Sequence, residues 1–191
     1  MQTIVIATHN QGKAREFARL LEPAGFMIKT LVDCGVTEVP HETGATFLEN
    51  ALIKARAAME ATGLPSLADD SGLCVDALDG APGVFSARYG GFSSPKEQIT
   101  HLLRQMEGQP NRTAAFVCQL VLLYTDGNEV SAEGRCEGEI LLAPQGDGGF
   151  GYDPVFCVPS KNRSMAELTP EEKDGLSHRG LALRALLGKL S

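Results

Sequence analysis

The sequence predicts an α/β fold with a long mixed sheet flanked by helices, and two features of the chain carry that expectation. The first is a strand that runs straight into a helix. The apolar run "TIVIA" is followed by "THNQGK" and then by "GKAREFARLLEPAG", which sets Ala14, Phe17, Ala18 and Leu21 at helical spacing. The second is a pair of long strand-like runs, "AAFVCQLVLLY" and "VSAEGRCEGEILL", joined through "TDGNE", whose Asp-Gly step suits a hairpin turn. A β-turn-α opening combined with a long hairpin favours a mixed sheet over a purely parallel one.

The remaining elements follow in chain order. Residues 2 to 7 read as a short buried strand, and the helix after it is stopped by Pro23 and Gly25. A second helix is announced in "TFLENALIKARAAMEATG" by Thr46 and Glu49, a capping-box pair, with Phe47, Ala51, Ala55, Ala58 and Met59 on one face. Gly63 and Pro65 end it. In "SLADDSGLCVDAL" an apolar approach meets a Ser-Gly break and then a new alternating run, so Asp69 and Asp70 are expected at a strand end or turn. Ser94 and Pro95 open a third helix with the stripe Ile99, Leu102, Leu103 and Met106, and Gly108 follows it. The glycine-rich "PQGDGGFGYDP" is expected to be a loop, and "TPEEKDG" a short capped helical turn. The chain closes with "SHRGLALRALLGKL", a helix capped by Ser177 with Leu183, Leu186, Leu187 and Leu190 inward.

A chain of 191 residues suits a single domain, 1–191, and 43% apolar with 21% charged residues is ordinary for a globular protein. Its net charge of −7 argues against wrapping a polynucleotide backbone but leaves a small phosphorylated ligand open, since a few lysines and a divalent metal neutralise it locally. Five cysteines without a C-x-x-C pair suggest neither a disulfide framework nor a zinc site; they read as small core residues in a reducing cytosol. The longest apolar region, "TAAFVCQLVLLYT", is too short for a membrane span, and the start lacks the character of a signal peptide. The expected location is cytoplasmic.

Several short stretches carry chemistry. "THNQGK" ends a strand where a helix begins, so it is either an anion-gripping turn or an ordinary turn with a solvated lysine. It is not the G-x-x-x-x-G-K-[ST] loop, because the first glycine is missing, Ala7 standing in its place, and Ala14 follows Lys13. The acidic pair of "ADDSG" could hold a hard divalent ion or activate water, or simply make a good turn. Glu42 in "HETG" is a further metal ligand or a solvated loop carboxylate. In "FGYDP" two aromatics and an acid are able to stack on a base and bond to its edge; otherwise the aromatics are core. His178 and Arg179 in "SHRG" place cations near the positive end of a helix, which is better explained if an anion or carbonyl acceptor faces them. Lys173 is a surface charge or a phosphate contact.

In the order "THNQGK", "HETGATFLENALIKA", "LADDSGL", "GAPGVFSARY", "GGFGYDPVF", "LTPEEK" and "SHRG", the chain resembles the inosine/xanthosine triphosphate pyrophosphatase family from residue 3 to about residue 188. The resemblance implies a two-lobed α/β fold with the active-site cleft between lobes, assembled as a homodimer. It also implies magnesium-dependent hydrolysis of non-standard purine nucleoside triphosphates (ITP, dITP, XTP) to the monophosphate and pyrophosphate. By matching motifs, Thr8, Asn10 and Lys13 would line the triphosphate, Asp70 would be proton acceptor and metal ligand, and Glu42 the second metal carboxylate. Ser71, the span Phe150, Gly151, Tyr152 and Asp153, and Lys173, His178 and Arg179 would complete the substrate site. Asp69 would hold Asp70 or touch the metal, and His9 takes no role. Rival readings are a pyrophosphatase for modified pyrimidine triphosphates, a non-catalytic nucleotide sensor and a structural interaction protein. Glu42 and Asp70 beside Lys13 speak against the sensor.

Overall fold

The computed structural model of the chain describes residues 2–38 and 40–190. It opens as expected: β1 (Gln2–Ile6) leads into α1 (Gln11–Leu21), which buries Phe17 and Leu21. β2 (Phe26–Thr30) follows as a strand that the sequence reading did not anticipate, lying parallel to β1 with Gln2 opposite Phe26 and Ile6 opposite Thr30. α2 (Phe47–Thr62) carries the expected capping box. Thr46 Oγ1 accepts from the Glu49 amide at 3.2 Å, and the Glu49 carboxylate accepts from the Thr46 amide at 3.1 Å. Gly63 ends the helix in the left-handed conformation, φ +66°. Ala51, Ala55 and Ala58 are buried as the periodicity predicts, Phe47 and Met59 are half-buried, and Asn50, a polar residue, is buried beside them.

β3 (Ser66–Val75) corrects one expectation. Asp69 and Asp70 do not sit at a strand end or turn; they lie inside one continuous, almost wholly buried strand that pairs in parallel with β1. Turn-forming residue types are tolerated there because each carboxylate has cationic partners, described below. Then come α3 (Pro95–Gln105), β4 (Thr113–Leu123) and β5 (Glu129–Ile140). β4 and β5 are sheet neighbours joined through residues 124–128, with the Tyr124 amide donating to the Asn128 carbonyl at 2.9 Å, so the hairpin forms as read. β5 buries Ala132, Gly134, Cys136, Gly138 and Ile140 and exposes the charged residues between them, the period-two pattern of a sheet solvated on one face. β6 (Phe156–Val158) and β7 (Arg163–Ser164) are antiparallel additions. α4 (Pro170–Leu176) and α5 (His178–Leu190) close the described chain. The seven strands form one mixed sheet in the order β2-β1-β3-β4-β5-β6-β7.

Contacts group the chain into two units, each discontinuous in sequence. The first comprises Met1–Asp70, Cys118–Gly134 and Arg179–Ser191. Its core draws Ile4, Phe17, Leu67, Leu120 and Leu183 together, with a second cluster around Val5, Ala51, Ala55 and Val121. The second comprises Ser71–Val117 and Arg135–His178 and is built on Leu73, Leu102, Met106, Phe116, Val155 and Phe156. No helix among the described residues is long and apolar enough to cross a membrane, and all five cysteines are free thiols.

Candidate active site

The turn that feeds α1 organises itself. Thr8 Oγ1 accepts from the Asn10 amide at 3.1 Å, and Asn10, the N-cap, accepts from the Lys13 amide at 3.1 Å through Oδ1. Capping fixes the first turn of α1 and with it the root of the Lys13 side chain, whose ammonium pairs with Asp69 at 2.8 Å. Asp69 is also met by Arg179 Nη2 at 3.2 Å, and Arg179 Nη1 pairs with Glu16, one turn along α1 from Lys13. The Arg179 guanidinium lies 5.7 Å from the centre of the Phe17 ring and is 1% exposed. Burial opposes ionisation of Asp69, yet Lys13, Arg179 and Lys54 outweigh it and hold the carboxyl well below the usual range. Arg179 is likewise held firmly charged: its burial is overcome by Asp69 and Glu16.

A second cluster in the same unit surrounds Asp70. Its Oδ1 accepts from Lys54 Nζ at 2.7 Å and its Oδ2 from Asn50 Nδ2 at 3.3 Å. Lys54 Nζ also pairs with Glu42 at 3.2 Å, so two carboxylates from distant parts of the chain converge on one ammonium. Asn50 ties the "HETG" segment to the cluster by accepting from the Gly44 amide at 2.8 Å. Adding a Cβ to Gly44 would bring it within 2.7 Å of that same Asn50 oxygen, which explains the glycine. Burial raises the Asp70 pKa, with Glu42 adding to it, against the opposing pull of Lys54. Lys54 itself is raised, because Asp69, Asp70 and Glu42 overcome the cost of its burial. Among the described residues no three His, Cys, Asp or Glu side chains form a ready-made metal cage.

In the second unit, Asp153 closes the "GGFGYDP" loop on itself. Its Oδ2 accepts from the Phe150 amide at 2.8 Å and from Lys173 Nζ at 2.8 Å, while the ammonium lies 4.5 Å from the centre of the Phe150 ring. Lys173 is 6% exposed, so it is not the surface charge that one reading of "TPEEK" allowed. The capping box of Thr169 and Glu172 starts α4 and delivers Lys173 to this position. Gly149, at φ +70°, makes the loop possible: a Cβ there would stand 2.0 Å from Asp153 Oδ2. Gly149→Ala is therefore expected to break the Asp153–Lys173 pair and to destabilise the protein by about 1–3 kcal/mol, the penalty for a strained backbone and a displaced ion pair. Thermal unfolding with an unchanged melting temperature would contradict this role.

Three expected site residues lie deeper than the sequence suggests. Tyr152 is 4% exposed and its hydroxyl donates to the Ser86 carbonyl at 2.8 Å, so its ring is core rather than a platform for a base. His178 is buried and stacks on Phe116, with ring centres 4.8 Å apart. Arg179 is committed to Glu16 and Asp69. Ser71, half-buried, follows Asp70 on β3, and Gly151 is a left-handed glycine at φ +61°. Sequence reasoning missed Lys54, Asn50 and Glu16. Asn50 and Lys54 stand four residues apart on α2, a spacing that puts them on one face next to the alanine stripe and that could have marked them.

The Ham1 family profile matches residues 4–189. Over 187 residues the chain is 54% identical to the dITP/XTP pyrophosphatase of Thermus thermophilus, covering 96% of this chain and 89% of that protein. Over 196 residues it is 52% identical to the dITP/XTP pyrophosphatase of Vibrio parahaemolyticus, covering 100% and 98%. Among solved structures it is similar to a HAM1 protein from Coxiella burnetii, with a TM-score of 0.90 and 44% identity over 100% of this chain and 98% of that one. Full-length identity of this order, on the same α/β architecture, establishes that the chain belongs to the Ham1 family.

Proposed function

We propose that this protein hydrolyses non-standard purine nucleoside triphosphates, dITP, ITP and XTP, to the monophosphate and pyrophosphate, clearing them from the nucleotide pool. Close homology makes it a dITP/XTP pyrophosphatase, a hydrolase. The observation that carries the chemistry is the convergence of Glu42 and Asp70 on the Lys54 ammonium: two carboxylate groups already share one cationic centre. That donor set fits Mg2+, which is commonly held by one or two carboxylates and completes its shell with water and substrate phosphates. Magnesium, when bound by Glu42 and Asp70, supplies charge neutralisation for the phosphates.

The chain's own residues do the rest. Asp70 takes the proton from a water that attacks the α-phosphorus while pyrophosphate leaves, and its upward-shifted pKa suits a proton acceptor better than an ordinary carboxylate would. Thr8, Asn10 and Lys13 hold the triphosphate, with Lys13 steered by Asp69, itself held by Arg179. Ser71, Phe150 to Asp153, Lys173, His178 and Arg179 bind or position the nucleoside. The two-lobed arrangement with its cleft, the homodimer and a cytoplasmic location belong to the same proposal. Lys13→Ala should raise KM and lower kcat together, since an ammonium on the phosphates acts in both ground and transition states. Unchanged constants for inosine triphosphate would return Lys13 to a structural role.

The base preference is assigned to His178, because Arg179 is committed to Glu16 and Asp69 and acts on the base only by holding the start of α5 in place. Inosine and xanthosine offer a 6-oxo acceptor, whereas adenine offers a 6-amino donor, a mismatch costing about 1 to 3 kcal/mol. Incubation with a panel of triphosphates and magnesium is expected to give similar turnover of inosine, deoxyinosine and xanthosine triphosphates. Guanosine triphosphate should be cleaved far less well, and adenosine and pyrimidine triphosphates least. Equal cleavage of adenosine and inosine triphosphates would sink this reading of the base site.

A further inference from the structure

Tyr152 sits in the middle of the segment assigned to the nucleoside, yet its side chain faces the core of the second unit, among residues that include Leu73, Met106 and Val155. Burial pushes its pKa upward, with Tyr89 adding to the shift, so the phenol stays protonated and donates to the Ser86 carbonyl at 2.8 Å. Ser86 is itself a junction. Its hydroxyl donates to the Gly83 carbonyl at 2.7 Å and accepts from the Leu73 amide at 2.9 Å. Leu73 lies on β3 two residues past Ser71, and residues Gly83–Gly91 form a 3-10 segment. One buried serine thus joins β3 next to the proposed catalytic stretch, the 3-10 segment, and the loop that presents Phe150 and Asp153.

We infer that Ser86 and Tyr152 are positioning residues, a latch that fixes the Phe150–Asp153 segment relative to β3 and so sets how tightly the nucleoside end of the substrate is held. The inference rests on the function proposed above. Packing of the Tyr152 ring restrains the segment only against leaving the core; the hydrogen bond, being directional, also fixes its rotation and its travel along β3. Asp153, the next residue, transmits that placement to Phe150 and Lys173 through its own bonds.

Tyr152→Phe deletes the hydroxyl and keeps the ring. It is expected to raise KM for dITP about fivefold to tenfold, the effect of one neutral hydrogen bond, with kcat within about twofold. Competitive inhibition by tripolyphosphate, which has no base, should be unchanged. Ser86→Ala removes the hydroxyl that holds Leu73 and Gly83 and should give the same split between dITP and tripolyphosphate, which also keeps the idea testable if the tyrosine variant folds poorly. A lower melting temperature with KM unchanged would make the bond merely structural and overturn the inference, as would equal weakening of tripolyphosphate. The wild-type protein separates the two levels: no turnover of dITP by it refutes the proposed function, whereas normal wild-type turnover with an unaltered KM in both variants refutes the latch alone.

Discussion

Asp70→Asn is expected to lower kcat for dITP by about 100-fold or more at saturating magnesium, the lower range for a positioned acid or base. The amide keeps the shape of the carboxylate inside β3 but loses both the proton-accepting oxygen and the charge offered to a metal. Stability should move the other way. Burial raises the Asp70 pKa, so the folded state disfavours its charged form, and at neutral pH that charge subtracts from stability. Without added metal the asparagine variant should therefore melt at the same temperature as the wild type or higher, a trade of stability for activity. Near-normal turnover, or loss of activity accompanied by a collapsed melting temperature, would remove Asp70 from the role of proton acceptor.

Arg179→Ala should produce the largest loss of stability. It removes a buried guanidinium that pairs with Glu16 and Asp69 and leaves both carboxylates inside the first unit, where Lys13 still serves Asp69. Breaking a buried pair from one side costs about 3–5 kcal/mol. For a protein of this size that corresponds to a fall of about 6–20 °C in melting temperature. The pH dependence has a definite sign. Asp69 is depressed in the folded state, so its contribution is complete above its ordinary carboxylate range and is lost only as the pH falls through the depressed value. The gap between variant and wild type should therefore be widest near neutrality and narrow in strong acid. Calorimetry showing a shift of less than about 2 °C at pH 7 would mean that the network does not support the fold, because that is below the expected cost of a single buried pair.

Local signals proved readable where local physics decides. The Thr46–Glu49 box, Gly63 and the hairpin around Asp126 and Gly127 all rest on short-range geometry, and each stands where the sequence puts it. The sequence misplaces Asp69 and Asp70 because Asp-Asp-Ser-Gly is turn composition, and only partners far away in the chain make it a buried strand. Lys13, Lys54, Asn50 and Arg179 supply that compensation, and pairings at such separations leave no local periodicity to read. β2 is five residues long and β7 only two, too short for an alternating pattern to stand out from the loops around them. Composition treats the aromatics of "FGYDP" as a pair and carries no signal for which ring turns inward. Tyr152 turns inward because the Ser86 carbonyl gives its hydroxyl a buried acceptor, and Phe150 has no such need.

The most direct test of the central claim is hydrolysis of dITP in 18O-labelled water with magnesium, followed by mass analysis of both products. Attack on the α-phosphorus predicts one labelled oxygen in the deoxyinosine monophosphate and none in the pyrophosphate, with the two formed in equal amounts. Label in the pyrophosphate, or release of orthophosphate with deoxyinosine diphosphate, would contradict the reaction assigned to Asp70, Glu42 and Lys13.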